Sequence, residues 1–142
     1  MKKIAEKKTT SCYCLKLRRA TSDVTRFYDK VLSECDITVS QYGLLLNISK
    51  AEKGSLRELA DMAELDRSTL ARNIKPLIKK EFVYDAKAEG TRDSSYQLTN
   101  SGKNVLGKAK GLWEQAQKKV ETILGNNGVQ ELEKMLRALE EL

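Results

Sequence analysis

Arg67, Ser68, Thr69, Arg72 and Lys75 crowd one short stretch, RSTLARNIK, where apolar Leu70 and Ile74 fall between them at helical spacing. These side chains suit binding to a polyanion. A guanidinium can donate twice to guanine O6 and N7, while hydroxyl and ammonium groups hold phosphates. Arg92 stands farther on, in the glycine-containing segment KAEGTRD. A basic helix beside a hairpin tipped with arginine is an arrangement suited to duplex DNA. Against this stand two plainer uses of the same residues, a solvated helix face and an ordinary surface hairpin whose charges nearly cancel.

A second group with chemical potential is Cys12 and Cys14, followed by Lys16, Arg18 and Arg19. Cations and a helix N-terminus are the surroundings in which thiols react, whereas inert cysteines serve as small apolar core residues. On a helix, residues i and i+2 point about 200° apart, so the pair would not bridge itself there. Along one straight helix Cys12 and Cys35 would stand ~35 Å apart, which leaves a partner subunit or a small thiol as the route to a disulfide.

Enzyme chemistry finds little footing. The chain has no histidine, and so lacks the commonest general base and zinc ligand. Cys12, Cys14 and Cys35 have neither the spacing nor the fourth ligand of a zinc site. No phosphate-binding glycine loop occurs, and the carboxylates are scattered along helix faces. The expectation is a non-enzyme with no catalytic residue, metal or cofactor. A thiol-dependent peroxidase and a winged-helix protein-interaction module are the alternatives.

The elements that must position these groups are mostly helical. From about Thr10 to Glu34, apolar residues recur every three or four positions (Tyr13, Leu17, Ala20, Val24, Phe27, Val31), which predicts a long amphipathic helix. DITVSQYGLLLNI predicts a second, with Thr38 or Ser40 as cap and Tyr42, Leu45, Leu46 and Ile48 inward. Ser55 and Glu58 have the spacing of a capping box opening a third helix, with Leu56, Leu59, Ala60 and Ala63 as its buried stripe. Asp66 caps the basic helix, whose Leu70, Ile74, Leu77 and Ile78 face the core. Small Ala60 lets the two helices cross closely against Leu70, as a helix-turn-helix requires. Glu64 falls in the turn, where φ > 0 is common, and Pro76 should kink the basic helix without breaking it.

FVYDA and SSYQL alternate as short strands around KAEGTRD. Thr99 or Asn100 caps a final helical region with Val105, Leu106, Leu112, Trp113, Ala116, Val120 and Leu124 on its apolar side. Gly125–Asn126–Asn127–Gly128 marks a stop and restart. Val129, Leu132, Met135, Leu136, Leu139 and Leu142 form a last stripe, whose natural use is pairing across a two-fold axis. The resulting division is 1–36, an N-terminal dimerisation helix; 37–98, a winged helix-turn-helix; and 99–142, C-terminal dimerisation helices.

Composition agrees with this division. The 142 residues are 40% hydrophobic and 32% charged, with a net charge of +6, which places the chain among soluble globular proteins. Basic residues gather in 1–20 and again in 65–80, where five oppose Asp66 alone, while 128–142 turn acidic. The opening MKKIAEKKTT has no apolar run behind it and no segment is long enough to span a membrane. Three cysteines do not make a disulfide framework, so a cytoplasmic protein is expected.

VSQYGLLLNI, SLRELADMAELDRSTLARNIKPLIKKEFV and TRDSSYQLTNSG, in this order, resemble the MarR family of bacterial transcription regulators. The resemblance implies a mainly α fold, a winged helix-turn-helix between long N- and C-terminal helices that interlock in a homodimer. It implies DNA contact by Arg67, Ser68, Thr69, Arg72 and Lys75 in the major groove and by Arg92 in the minor groove. Two departures stand out: Gly90 replaces the family's wing-bracing aspartate, leaving Glu89 or Asp93 to take over, and Glu81 replaces the glycine after the reading helix. The family also implies two routes of control. One is oxidation at Cys12 or Cys14; the other is a small anionic or aromatic ligand in a cleft lined by Tyr13, Tyr28, Tyr42 and Trp113. The whole reads as a dimeric repressor on a pseudo-palindromic operator, released by ligand or by thiol oxidation.

Overall fold

A computed structural model describes residues 11–142. Lys2, Lys3, Lys7 and Lys8 of the first basic cluster, the MKKIAEKKTT segment and Thr10 lie outside the described residues. Helix α1 spans Tyr13–Leu32 and ends in a 3₁₀ turn, Ser33–Cys35, closed by Asp36 in the left-handed conformation (φ 55°). It is shorter than its apolar period predicts, because Cys12 is already extended and the last residues tighten into the turn. Only its C-terminal third is buried, through Tyr28 and Leu32. The Tyr28 hydroxyl donates to Gln117 Oε1 on the last helix at 2.5 Å.

Helix α2, Val39–Lys50, starts at Thr38, which forms a complete capping box with Gln41. Tyr42, Leu44, Leu45 and Ile48 are buried and Leu46 only half-buried, so Leu44 takes a core place that the sequence pattern assigned to its neighbour. Helix α3, Leu56–Ala63, begins with Ser55 Oγ accepting from Glu58 N–H. The reciprocal half of that box is absent. The Glu58 carboxylate instead accepts the backbone N–H groups of Glu52, Lys53 and Gly54. The Gly54 bond, then those of Lys53 and Glu52, hold the carboxyl below its ordinary range against the effect of burial. Gly54 itself lies against the backbone of Tyr96: a Cβ there would stand 2.3 Å from the Tyr96 carbonyl oxygen.

Glu64 adopts φ 54°, and the chain turns into α4, Arg67–Lys79. Leu59 and Ala60 of α3 and Leu70 of α4 are buried in the crossing. The helix continues through Pro76 to Lys79, as expected. Glu81, where the family has glycine, takes φ 63°. The side chain bears that conformation, and the chain leaves α4 as a glycine would let it. Strands β1 (Val83–Asp85) and β2 (Tyr96–Leu98) pair antiparallel in the register Val83↔Leu98, Tyr84↔Gln97, Asp85↔Tyr96.

Thr99 caps α5, Asn100–Leu139, its hydroxyl accepting from Gly102 N–H. Gly125 (φ 73°, ψ 166°) breaks the axis. The expected four-residue stop is thus a one-residue joint, and Asn126, Asn127 and Gly128 are helical. Leu32, Leu45, Leu59, Leu70, Ile74, Leu77 and Val83 form the fully buried centre, closed on the α5 side by Ala109. Apolar side chains at both chain ends stay on the surface of a single protomer, among them Tyr13, Leu17 and Val24 on α1 and Met135, Leu136 and Leu139 on α5.

Candidate nucleic-acid interface

Helix α4 is fixed from within and polar without. Leu70, Ile74 and Leu77 enter the core, which turns Ser68, Arg72, Lys75 and Lys79 outward on the opposite arc. Ile78, expected inside, is 39% exposed; it lies roughly 75° round the helix from the centre of the buried stripe. At the N-terminus, Asp66 Oδ1 accepts Thr69 N–H at 2.7 Å and the Ser68 hydroxyl at 2.8 Å. The Thr69 bonds, then that of Ser68, bring the Asp66 carboxyl down to about 2. Arg72 Nη2 donates to Thr69 Oγ1 at 3.3 Å. Among the described residues no carboxylate forms an ion pair with Arg67, Arg72, Lys75 or Arg92. These cations are therefore available to an external anion.

The wing is braced by a residue the sequence reading did not select. Asp85 Oδ1 accepts the backbone N–H groups of Lys87 (3.0 Å) and Ser95 (2.9 Å), closing the base of the loop across ten residues. Burial opposes its charge, but bonds from Ser95, Ser94 and Lys87 outweigh it and keep the carboxyl below its ordinary range. Neither Glu89 nor Asp93 takes this role. With Gly90 at φ 80° turning the tip, Arg92 is exposed and shares a cavity with Arg67. The structure thus sets Ser68, Arg72 and Lys75 on one outward arc of α4 and brings Arg92 beside Arg67 at the start of that helix, so the expected contact residues fall into two groups.

The remaining candidates are more dispersed. Cys12 and Cys14 are exposed and Cys35 is buried, with no disulfide among them. Cys12 is extended at the N-cap rather than helical, so the opposed directions expected for two helical positions do not apply to this pair. The four aromatic residues do not form one cleft. Tyr42 stacks on Trp113 at 5.9 Å and Tyr28 is spent on Gln117. Tyr13 is 78% exposed at the far end of α1, with the Lys16 ammonium 5.7 Å from its ring centre. Helical spacing groups residues by face, but Tyr13 and Tyr28 stand about four turns apart along α1. A cavity of about 630 Å³ does lie between α2, the wing strands and α5, lined in part by Tyr42, Tyr84, Tyr96, Lys53, Lys103 and Lys110. Among the described residues no cluster suited to a metal occurs, and no helix is long and apolar enough to cross a membrane.

Residues 37–88 match the model of the MarR family. The HTH-type transcriptional regulator SarZ of Staphylococcus aureus strain USA300 is 29% identical over 93 residues, which are 65% of this chain and 63% of SarZ. The match therefore spans less than two thirds of that relative's length. The transcriptional regulator MosR of M. tuberculosis, solved in complex with DNA, aligns with a TM-score of 0.77 and 27% identity, covering 92% of this chain and 98% of MosR. The transcriptional repressor CouR, solved with p-coumaroyl-CoA, aligns with a TM-score of 0.82 over 91% of each chain; at 19% identity this is a likeness of fold.

Proposed function

We propose that this chain, a winged helix-turn-helix protein carrying a MarR-family domain, is a DNA-binding transcriptional regulator that works as a homodimer on a pseudo-palindromic operator. One observation carries the reading: α4 is locked into the core by Leu70, Ile74 and Leu77 while Arg72 and Lys75 stand outward with no ion-pair partner among the described residues. SarZ is a transcriptional regulator by name and MosR was solved on DNA, which is the use such a face would have here. Arg72 reads a base edge; Arg67, Ser68, Thr69 and Lys75 hold the backbone; Arg92 enters the adjoining minor groove.

Pairing is the use of the exposed apolar stripes. Residues 1–36 and 99–142 supply the dimer contacts, the winged unit of 37–98 the DNA contacts. Leu132, Met135, Leu136 and Leu139 on α5 are between 36% and 54% exposed in one protomer, and an apolar surface of that extent calls for a partner. A dimer places its two reading helices about 10 bp apart, and a protein bound across a promoter at that spacing represses it. Two release routes fit. The exposed Cys12 and Cys14 favour oxidation, and the lysine-rimmed cavity beside Tyr42 favours a small anionic or aromatic ligand. The protein works in the cytoplasm, without a cofactor and without turnover.

Selection of bound fragments from random-sequence DNA, followed by binding curves for Arg72→Ala and Lys75→Ala, tests the assignment. Arg72→Ala should relax preference at one position per half-site by ~1–3 kcal/mol, while Lys75→Ala should weaken all duplexes alike. Equal losses across sequences for both variants would refute the division of roles. Absence of salt-sensitive binding by the parent would favour a protein-interaction module, and sustained consumption of peroxide a thiol peroxidase.

A further inference from the structure

Three arginines from three different elements line one cavity of about 340 Å³: Arg57 from α3, Arg67 from the first position of α4 and Arg92 from the wing. Ser55, Asp93 and Ser94 complete its polar rim. All three arginines are exposed, and among the described residues none of them has a hydrogen-bond or ion-pair partner. Asp93 sets one negative charge against three positive ones, so the hollow keeps a net positive charge that favours a further anion. Ser55 Oγ accepts from Glu58 N–H, which leaves its O–H as the group that can donate into the hollow.

We infer that this cavity seats a backbone phosphate of the DNA, and that Arg57 is a contact residue beyond those on α4 and the wing tip. The inference rests on the DNA-binding reading above and gives it a geometry. When a recognition helix occupies the major groove and its wing the neighbouring minor groove, one sugar-phosphate strand separates the two. That strand must cross the saddle between the start of α4 and the wing, where Arg57, Arg67 and Arg92 meet. Arg57 thereby fixes the register of the wing against α4, and its contact carries no sequence preference. Asp93 stands in the same cavity and opposes the phosphate.

The test is the salt dependence of binding by the full chain, using a duplex recovered by selection with the parent and an unrelated duplex of equal length. Each lost phosphate contact lowers the slope of log K against log salt by about 0.9, hence by about 1.8 for a symmetric dimer. Arg57→Ala should weaken both duplexes alike, and the gap between parent and variant should narrow about 12-fold between 50 and 200 mM salt. Arg57→Lys should keep the parental slope, and Asp93→Asn should tighten both duplexes severalfold. Thermal unfolding of each variant checks that the fold is intact. An Arg57→Ala variant with the parental slope, or a loss confined to the selected duplex, overturns the inference while leaving DNA binding in place. A parent that binds neither duplex overturns the functional reading instead.

Discussion

Gly102 allows the last helix to meet the backbone of Phe82 at the start of the wing, and replacing it by alanine should separate them. A Cβ built there lies 2.0 Å from the Phe82 carbonyl oxygen and 2.9 Å from its carbon. Carbon approaches a carbonyl oxygen no closer than about 3.3 Å, so the first turn of α5 must retreat by about 1.3 Å. That retreat strains two bonds made by Thr99: its N–H to Phe82 O at 3.0 Å and its hydroxyl to Glu81 O at 2.6 Å. Loss of both costs about 2 kcal/mol, and the overpacked contact adds about 1–3 kcal/mol. Alanine's advantage over glycine in a helix returns about 1 kcal/mol, leaving a net loss of roughly 2–4 kcal/mol. For a chain of 142 residues the midpoint should drop by roughly 7–13 °C. Gly107→Ala is the control, in the same helix with nothing within 4 Å of the added carbon. It should gain about 0.5–1 kcal/mol. Chemical and thermal unfolding of the two variants side by side measures both. Shifts of the two variants in the same direction would show that the close approach of Gly102 to Phe82 does not set the packing of α5.

The Asp66 carboxyl falls from an ordinary value near 3.8 to about 2 on folding. Its contribution is therefore complete above the unfolded value and disappears as pH falls through the folded one. Asp66→Asn keeps the cap but loses the charge, so the stability difference from the parent should shrink across that acid window in a pH series of unfolding curves. Leu136→Glu puts a charge in the exposed stripe of α5. Analytical ultracentrifugation should find monomers that still unfold cooperatively, and a stable dimer from this variant would place the seam elsewhere.

Helices with one wet and one dry face were legible from period alone. Leu70, Ile74 and Leu77 lie where their spacing puts them, and Thr38, Asp66 and Thr99 cap as their types suggest. Leu44 was not legible, because the run Leu44, Leu45, Leu46 is apolar across too wide an arc for spacing to choose. Glu58 looked like half of a capping box, yet its carboxylate reaches back to the preceding loop, whose path sequence spacing does not encode. The outward basic arc of α4 was readable because its residues share one helix. The places of Asp85 and Arg57 were not, since each meets its neighbours only when another element folds beside it. The same limit explains the aromatic residues, which period placed on faces but could not place opposite one another.

Glu64 and Glu81 bracket α4, one in the bend before it and one just past its end, and both hold a backbone shape in which glycine would rest without penalty. Glycine at the two sites would make the scaffold tougher and leave every outward-facing residue of α4 untouched. It would also delete two negative charges beside a cationic helix, raising the net charge from +6 to +8. More positive chains cling to any nucleic acid they meet. On the DNA-binding function proposed above, these acids exchange ruggedness for discrimination, and a variant selected only for heat resistance should drift toward indiscriminate attachment.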